Sequence, residues 1–123
     1  MARSPLLQLV RDSIEEVIEA TRKIDRDALL KEYPALEQKI GCAVSIILDD
    51  KICGEAKSSE ASRALIDDII YNAKVAAFQD KNNPPITTAD YLHCSIELSL
   101  LIPNDEGGYD IETSSDGPIV KDQ

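Results

Sequence analysis

The residues of this chain best suited to chemistry are three cysteines, Cys42, Cys53 and Cys94, and a single histidine, His93. Four such side chains can in principle hold zinc, but no pair has the short spacing that zinc ligands use. His93 and Cys94 are neighbours in a stretch that alternates like a strand, so their side chains leave on opposite faces. Cys42 and Cys94 fall at inward positions and read as small core residues. No metal site is expected. Thiol catalysis needs a nearby base, and with one histidine in the chain Cys53 is only a weak catalytic candidate. A first pocket candidate surrounds it: Lys51, Cys53, Gly54, Glu55 and Lys57. A glycine inside a strand marks a bulge or a close backbone approach, and a helix start at Ser58-Ser59 offers free amides to an anion. Glu55 and Glu60 compete for that same positive end, which favours a plain edge strand with solvated charges. The second candidate is the loop Asn82-Asn83-Pro84-Pro85, a rigid connection of the kind that also carries function. The ligand-binding set drawn from both is Lys51, Cys53, Gly54, Glu55, Asn82 and Asn83. The acidic pairs Asp67-Asp68 and Asp49-Asp50 diverge on a helix and in a turn, so neither is an acid–base couple. No phosphate loop, nucleophile elbow or dinucleotide fingerprint occurs, and no cofactor is called for.

Composition bounds what those residues can serve. The chain has 123 residues, 43% of them hydrophobic but only 4% aromatic, so its core must be aliphatic. That length makes one domain, large enough to fold without staples. The net charge is −10, and residues 104–123 hold six acids against Lys121 alone. Such a chain is repelled by nucleic-acid backbones and by anionic membranes, so neither is expected as a partner. An odd, scattered set of cysteines is not a disulfide framework. With no signal-peptide pattern and no apolar run long enough to span a bilayer, a cytoplasmic protein is expected.

The elements that must position these residues can be read from periodicity. Ser4-Pro5 opens a helix to about Lys23, with Leu6, Leu7, Val10, Ile14, Val17, Ile18 and Thr21 on one face. Arg11, Asp12, Glu15, Glu16, Glu19 and Arg22 fill the polar face. Asp25–Lys31 is a short helix or turn before Pro34, with one more turn near Leu36–Lys39. Ile40–Leu48 is a strand that is apolar on both faces and therefore central or covered. Asp49-Asp50 reverses it, and Lys51–Ala56 returns. Ser58-Ser59 and Glu60 predict a long helix to about Phe78, with Ser62, Leu65, Ile66, Ile69, Ile70, Ala73, Ala76 and Ala77 buried. Thr87-Thr88-Ala89-Asp90 is a capping box opening one helical turn. From His93 to Ile102 the alternation is strict: Cys94, Ile96, Leu98, Leu100 and Ile102 face in, while Ser95, Glu97 and Ser99 face out. Tyr109, Ile111 and Thr113 allow a further short strand, Asp116-Gly117 signals a turn, and Ile119-Val120 add a few extended residues. The fold class is α+β, a small antiparallel-rich sheet with an N-terminal helix and one long covering helix.

The stretch Lys74–Pro103 resembles the AMMECR-type domain family. The matching positions are Ala76-Ala77-Phe78, Asp80, Pro84-Pro85, Ala89-Asp90, and the strand Ile96-Glu97-Leu98-Ser99-Leu100-Leu101 closed by Pro103. The resemblance covers roughly Leu6 to Pro103, with residues 1–103 as an AMMECR-like domain and 104–123 as an acidic segment adding a short strand. The family signature Leu-Arg-Gly-Cys-Ile-Gly is degraded on either alignment: aligned on Gly54, it loses its Arg to Cys53 and its Cys to Glu55, and aligned on Cys53, every other position is displaced. Relatives continue into a second half, whose first strand would correspond to residues 116–120. The resemblance implies an intracellular protein associated with Memo-like and radical-SAM partners, with a binding or enzymatic role near the signature loop.

A kept scaffold with a lost signature points to a non-catalytic binding or regulatory module with a protein or small-molecule partner. Two alternatives stand beside it: a small-metabolite enzyme using Cys53, and an acidic protein that blocks a basic surface on a partner. Ile47 on the outward face, together with open sheet edges, leaves room for a homodimer.

Overall fold

The computed structural model describes residues 4–118. Its elements run α1 (Pro5–Ile18), α2 (Arg26–Glu32), a 3-10 turn (Pro34–Glu37), β1 (Gly41–Leu48), β2 (Lys51–Lys57), α3 (Leu65–Phe78), α4 (Thr88–His93), β3 (Ser95–Pro103) and β4 (Tyr109–Ser115). The four strands form one antiparallel sheet in the order β2-β1-β3-β4. The fold is therefore α+β, with β1 central as its two apolar faces required. Ile119-Val120 lie outside the described residues.

One face of the sheet carries the core. Val44, Ile46, Ile96 and Leu98 are fully buried beneath Ile66, Ile69 and Ala73 of α3 and Val10 and Ile14 of α1. Each such aliphatic side chain contributes about 1.5–3 kcal/mol by leaving water. Cys42 and Cys94 belong to this core, as the alternation demanded. Leu100 and Ile102 continue the row, half-buried at its margin.

Short-range signals formed as read. Asp49 and Asp50 both have positive φ, 53° and 63°, the two-residue reversal whose twist suits a hairpin. Thr87 and Asp90 exchange side-chain-to-backbone bonds at 3.0 and 3.2 Å, completing the capping box of α4.

Three readings are corrected. The long helix begins at Leu65, not near Ser58, and Ser62 is exposed outside it. Residues 58–64 instead fold across one end of the sheet, where Ala64 bridges to Lys39 and the Glu60 carbonyl lies over Gly41. The helix α1 stops at Ile18 rather than Lys23. The chain turns at Ala20 (φ 52°), and the Glu16 carboxylate accepts the N–H groups of Lys23 and Ile24, both at 2.9 Å. Val17 and Thr21, expected inside, are consequently exposed.

Arg11 is the third correction. Helical periodicity puts it on the polar face of α1, yet it is completely buried. Its guanidinium makes a two-pronged pair with Asp116 at 2.9 Å for each prong. It also donates to the carbonyls of Cys94 (2.9 Å) and Gly117 (3.2 Å) and lies 5.1 Å from the centre of the Tyr91 ring. Asp116, read as part of a turn, closes the sheet ladder instead: its N–H reaches the Ile96 carbonyl at 3.0 Å and its carboxylate takes the Ile96 N–H at 2.9 Å.

Candidate functional site

The candidate segments meet at the outer side of β2. The strand pairs with β1 in steps until the register shifts between Ile46 and Ile47, so that Gly54 faces Ile46 and Ile52 faces Ile47. Cys53 is the extra residue of this bulge. The bulge drops Gly54 onto the helix side, where a Cβ would stand 2.1 Å from the backbone oxygen of Ala76. Only glycine fits there, because the opposing atom is backbone and cannot swing aside.

This close approach sets the path of the chain beyond α3. Asp80, two residues after the helix, reaches back to β2: its Oδ2 accepts the Glu55 N–H at 3.0 Å. The same carboxylate accepts the Asn82 N–H at 3.0 Å and the Asn83 side-chain amide at 2.8 Å. These donors, the Asn82 amide foremost, hold the Asp80 carboxyl below the ordinary aspartate range. Asp80 is thus the residue that joins the two candidate segments. In the sequence Asp80 stands out only as a family position, although the Asp-x-Asn-Asn spacing favours side-chain-to-backbone turns.

A cleft of about 230 Å³ opens beside this junction, lined by Ala43, Ser45, Glu55, Lys57, Asp80 and Asn82 among others. Two of the expected ligand residues, Glu55 and Asn82, are therefore brought together. Asn83 supports Asp80 from behind. Gly54 faces α3 rather than the cleft, and Lys51 stands exposed at the hairpin end. Cys53 is half-buried and outside the cleft lining.

Thiol chemistry finds little support at any cysteine. Burial pushes the Cys53 thiol up, and the negative charge of Asp90 adds to the shift. Burial drives Cys42 up to about 12 and also raises Cys94, where Arg11 opposes it. Activated thiols show the reverse displacement. The strand begins at Ser95 rather than His93: the capping box extends α4 through His93, with Cys94 as its C-cap, so the exposed His93 belongs to the helix and its ring Nδ1 lies 3.0 Å from the Ala89 carbonyl. Among the described residues no group of side chains could hold a metal ion, and no helix is long and apolar enough to cross a membrane.

A second buried polar cluster escaped the sequence reading. Asp68, dismissed with Asp67 as a divergent pair, is buried and accepts from the Cys42 N–H (2.8 Å), the Ser58 hydroxyl (2.7 Å) and Arg63 (2.8 Å). Asn72, one helical turn later, donates to Asp68 and to the Cys42 carbonyl. The network pins residues 58–63 to the base of β1. Every buried side-chain polar atom described is satisfied. An apolar cavity of about 400 Å³ lies on the helix side of β3, between Leu6, Leu9, Leu36, Leu100 and Ile102, with Glu112 of β4 on its rim.

The architecture defines a four-stranded antiparallel α+β domain whose bulged edge strand and post-helix loop form a small polar cleft. The AMMECR1 family model matches residues 7–123, and the chain belongs to that family. Among solved structures it is similar to an uncharacterised protein from Pyrococcus horikoshii, with a TM-score of 0.68 and 24% identity over 80% of this chain. The match takes in 50% of that protein, so the chain spans about half of its length. At that identity the likeness speaks for the fold alone. No curated protein matches the chain.

Proposed function

We propose that this chain is a non-catalytic binding or regulatory module of the AMMECR1 family, whose ligand occupies the cleft between β2 and the loop 80–83. The observation that carries the reading is geometric: Glu55 and Asn82 line the cleft, and Cys53, half-buried, lies outside it. The Cys53 thiol is driven toward the protonated form by burial and by Asp90, the opposite of what a nucleophile needs. On the alignment through Gly54, the signature cysteine falls at Glu55, whose backbone is fastened to Asp80. The scaffold thus keeps the glycine that packs β2 on α3 and replaces the reactive groups around it. The cleft offers carboxylate, ammonium, hydroxyl and amide groups, which suit a small polar ligand. Three free thiols fit a reducing compartment such as the cytoplasm.

The test is a small-metabolite screen coupled to amide chemical shifts on the full chain. Binding should move Ser45, Glu55, Lys57 and Asn82 together, and Glu55→Gln should weaken it. Shifts that cluster away from β2 and the loop 80–83 would refute the site. Metabolite turnover that stops on alkylation of Cys53 would refute the non-catalytic reading.

A further inference from the structure

We propose that the outer edge of β4 is a docking surface for an extended basic segment of a partner protein, which adds a fifth strand to the sheet. This surface is separate from the cleft at β2 and is defined by the backbone groups that β4 leaves unpaired. The Asp116 N–H bonds to the Ile96 carbonyl, so Ile96 turns its backbone toward β4. Alternation then directs the backbone groups of Leu98, Leu100 and Ile102 the same way. Their partners Ser114, Glu112 and Asp110 turn inward to meet them. The N–H and C=O groups of Tyr109, Ile111, Thr113 and Ser115 consequently point outward, beyond the last described strand.

Natural edges are blunted by lysine, proline or bulges. The seven residues of β4, Tyr-Asp-Ile-Glu-Thr-Ser-Ser, contain no lysine or proline, and their register with β3 is unbroken. All seven are exposed, Ile111 to 57%.

Side chains specify the occupant. On the helix side β4 presents Asp110, Glu112 and Ser114, next to a depression of about 480 Å³ that includes Leu6, Leu100 and Glu112. A lysine or arginine fits there, its stem on the leucines and its charge beside the carboxylates. On the open side Ile111 favours an apolar partner, while the Tyr109 ring lies beside it with its hydroxyl accepting the Ala61 N–H at 3.3 Å. The pattern read from the edge is alternating cationic and β-branched residues, recognised by strand addition. A second copy of this chain fits poorly. Antiparallel self-pairing centred on Ile111 sets Asp110 against Glu112 of the other copy, and centring on Glu112 sets two glutamates face to face. A net charge of −10 on each copy adds to the repulsion.

The probe is a capped seven-residue peptide of alternating Lys and Val, titrated into the full chain at low salt. Amide shifts should centre on residues 109–115, and raising the salt should weaken binding. The double variant Asp110→Asn/Glu112→Gln should weaken it on the order of fivefold. Ile111→Pro removes an outward N–H without touching the β3 ladder and should abolish binding, with its thermal melt confirming the fold. The same peptide N-methylated on its edge-facing residues should fail against the unaltered protein, which needs no variant at all. Shifts elsewhere, equal binding of a Glu–Val peptide, or binding that survives N-methylation would overturn the proposal. So would self-association of the free chain that Ile111→Pro removes, since the edge would then belong to a second copy.

Discussion

The two outer strands of the sheet are finished in opposite ways. β2 carries lysines at both ends, a bulge in its middle, and a carboxylate from the loop after α3 on its Glu55 N–H. It is also pressed on α3 through Gly54, with no room for a side chain. β4 has none of these devices. It is held by its ladder to β3, by a hydroxyl pair between Ser99 and Thr113, by the bonds from Ala61 N–H to the Tyr109 hydroxyl and from the Asn104 amide to Asp110, and at its end by the Arg11–Asp116 pair. One small sheet thus carries two differently finished edges. A sealed edge can frame a cleft for a small ligand, while an open edge still offers backbone to another chain.

The contrast can be broken at either end. Arg11→Leu should have the largest effect. It removes the guanidinium that pairs the largely buried Asp116 carboxylate, at a cost of about 3–5 kcal/mol. Urea unfolding would measure the loss, and hydrogen exchange should show β4 and Ile96 loosening before β2. Gly54→Ala should cost about 1–3 kcal/mol by forcing α3 off β2, with exchange rising in β2 while β4 stays as it was. An unchanged melting temperature would mean that β2 does not pack as described.

Asp80→Asn should cost about 1 kcal/mol, since a neutral amide accepts the Glu55 and Asn82 N–H groups less well. This loss carries a pH signature. The folded Asp80 carboxyl sits below its unfolded value, so its stabilisation is fully present above the ordinary aspartate range of about 4. It fades as pH falls through the lower folded value. The gap between wild type and variant should therefore be wide at neutral pH and close in acid. Ile111→Lys should have the smallest effect on stability, within about 0.5 kcal/mol. It supplies the edge with the protection it lacks and should abolish binding of the Lys–Val peptide.

Much of the architecture was legible because its causes are local. Strict alternation placed Cys94, Ile96, Leu98, Leu100 and Ile102 on one face, and Thr87 with Asp90 announced α4 three residues apart. The misread features depend on contacts distant in sequence. Helical periodicity puts Arg11 with the polar residues, and nothing near it reveals a partner 105 positions away. Ser58 and Glu60 look like a helix start, but Ser58 is claimed by Asp68, and a bridge from Lys39 to Ala64 holds that stretch extended. For the candidate site, Glu55 and Asn82 come from two separate stretches of sequence that the structure sets at one cleft, and Asp80, which joins them, stands out in the sequence only as a family position. Cys53 attracted notice by its type, and its burial beside an acid could be seen only in three dimensions.

Residue-resolved amide hydrogen exchange tests the contrast between the edges most directly. The account predicts that the Glu55 N–H, held by Asp80, exchanges slowly, while those of Ile111 and Thr113 exchange quickly until the Lys–Val peptide is added and then slow down. Fast exchange at Glu55, or protection of Ile111 and Thr113 in the free chain, would contradict it.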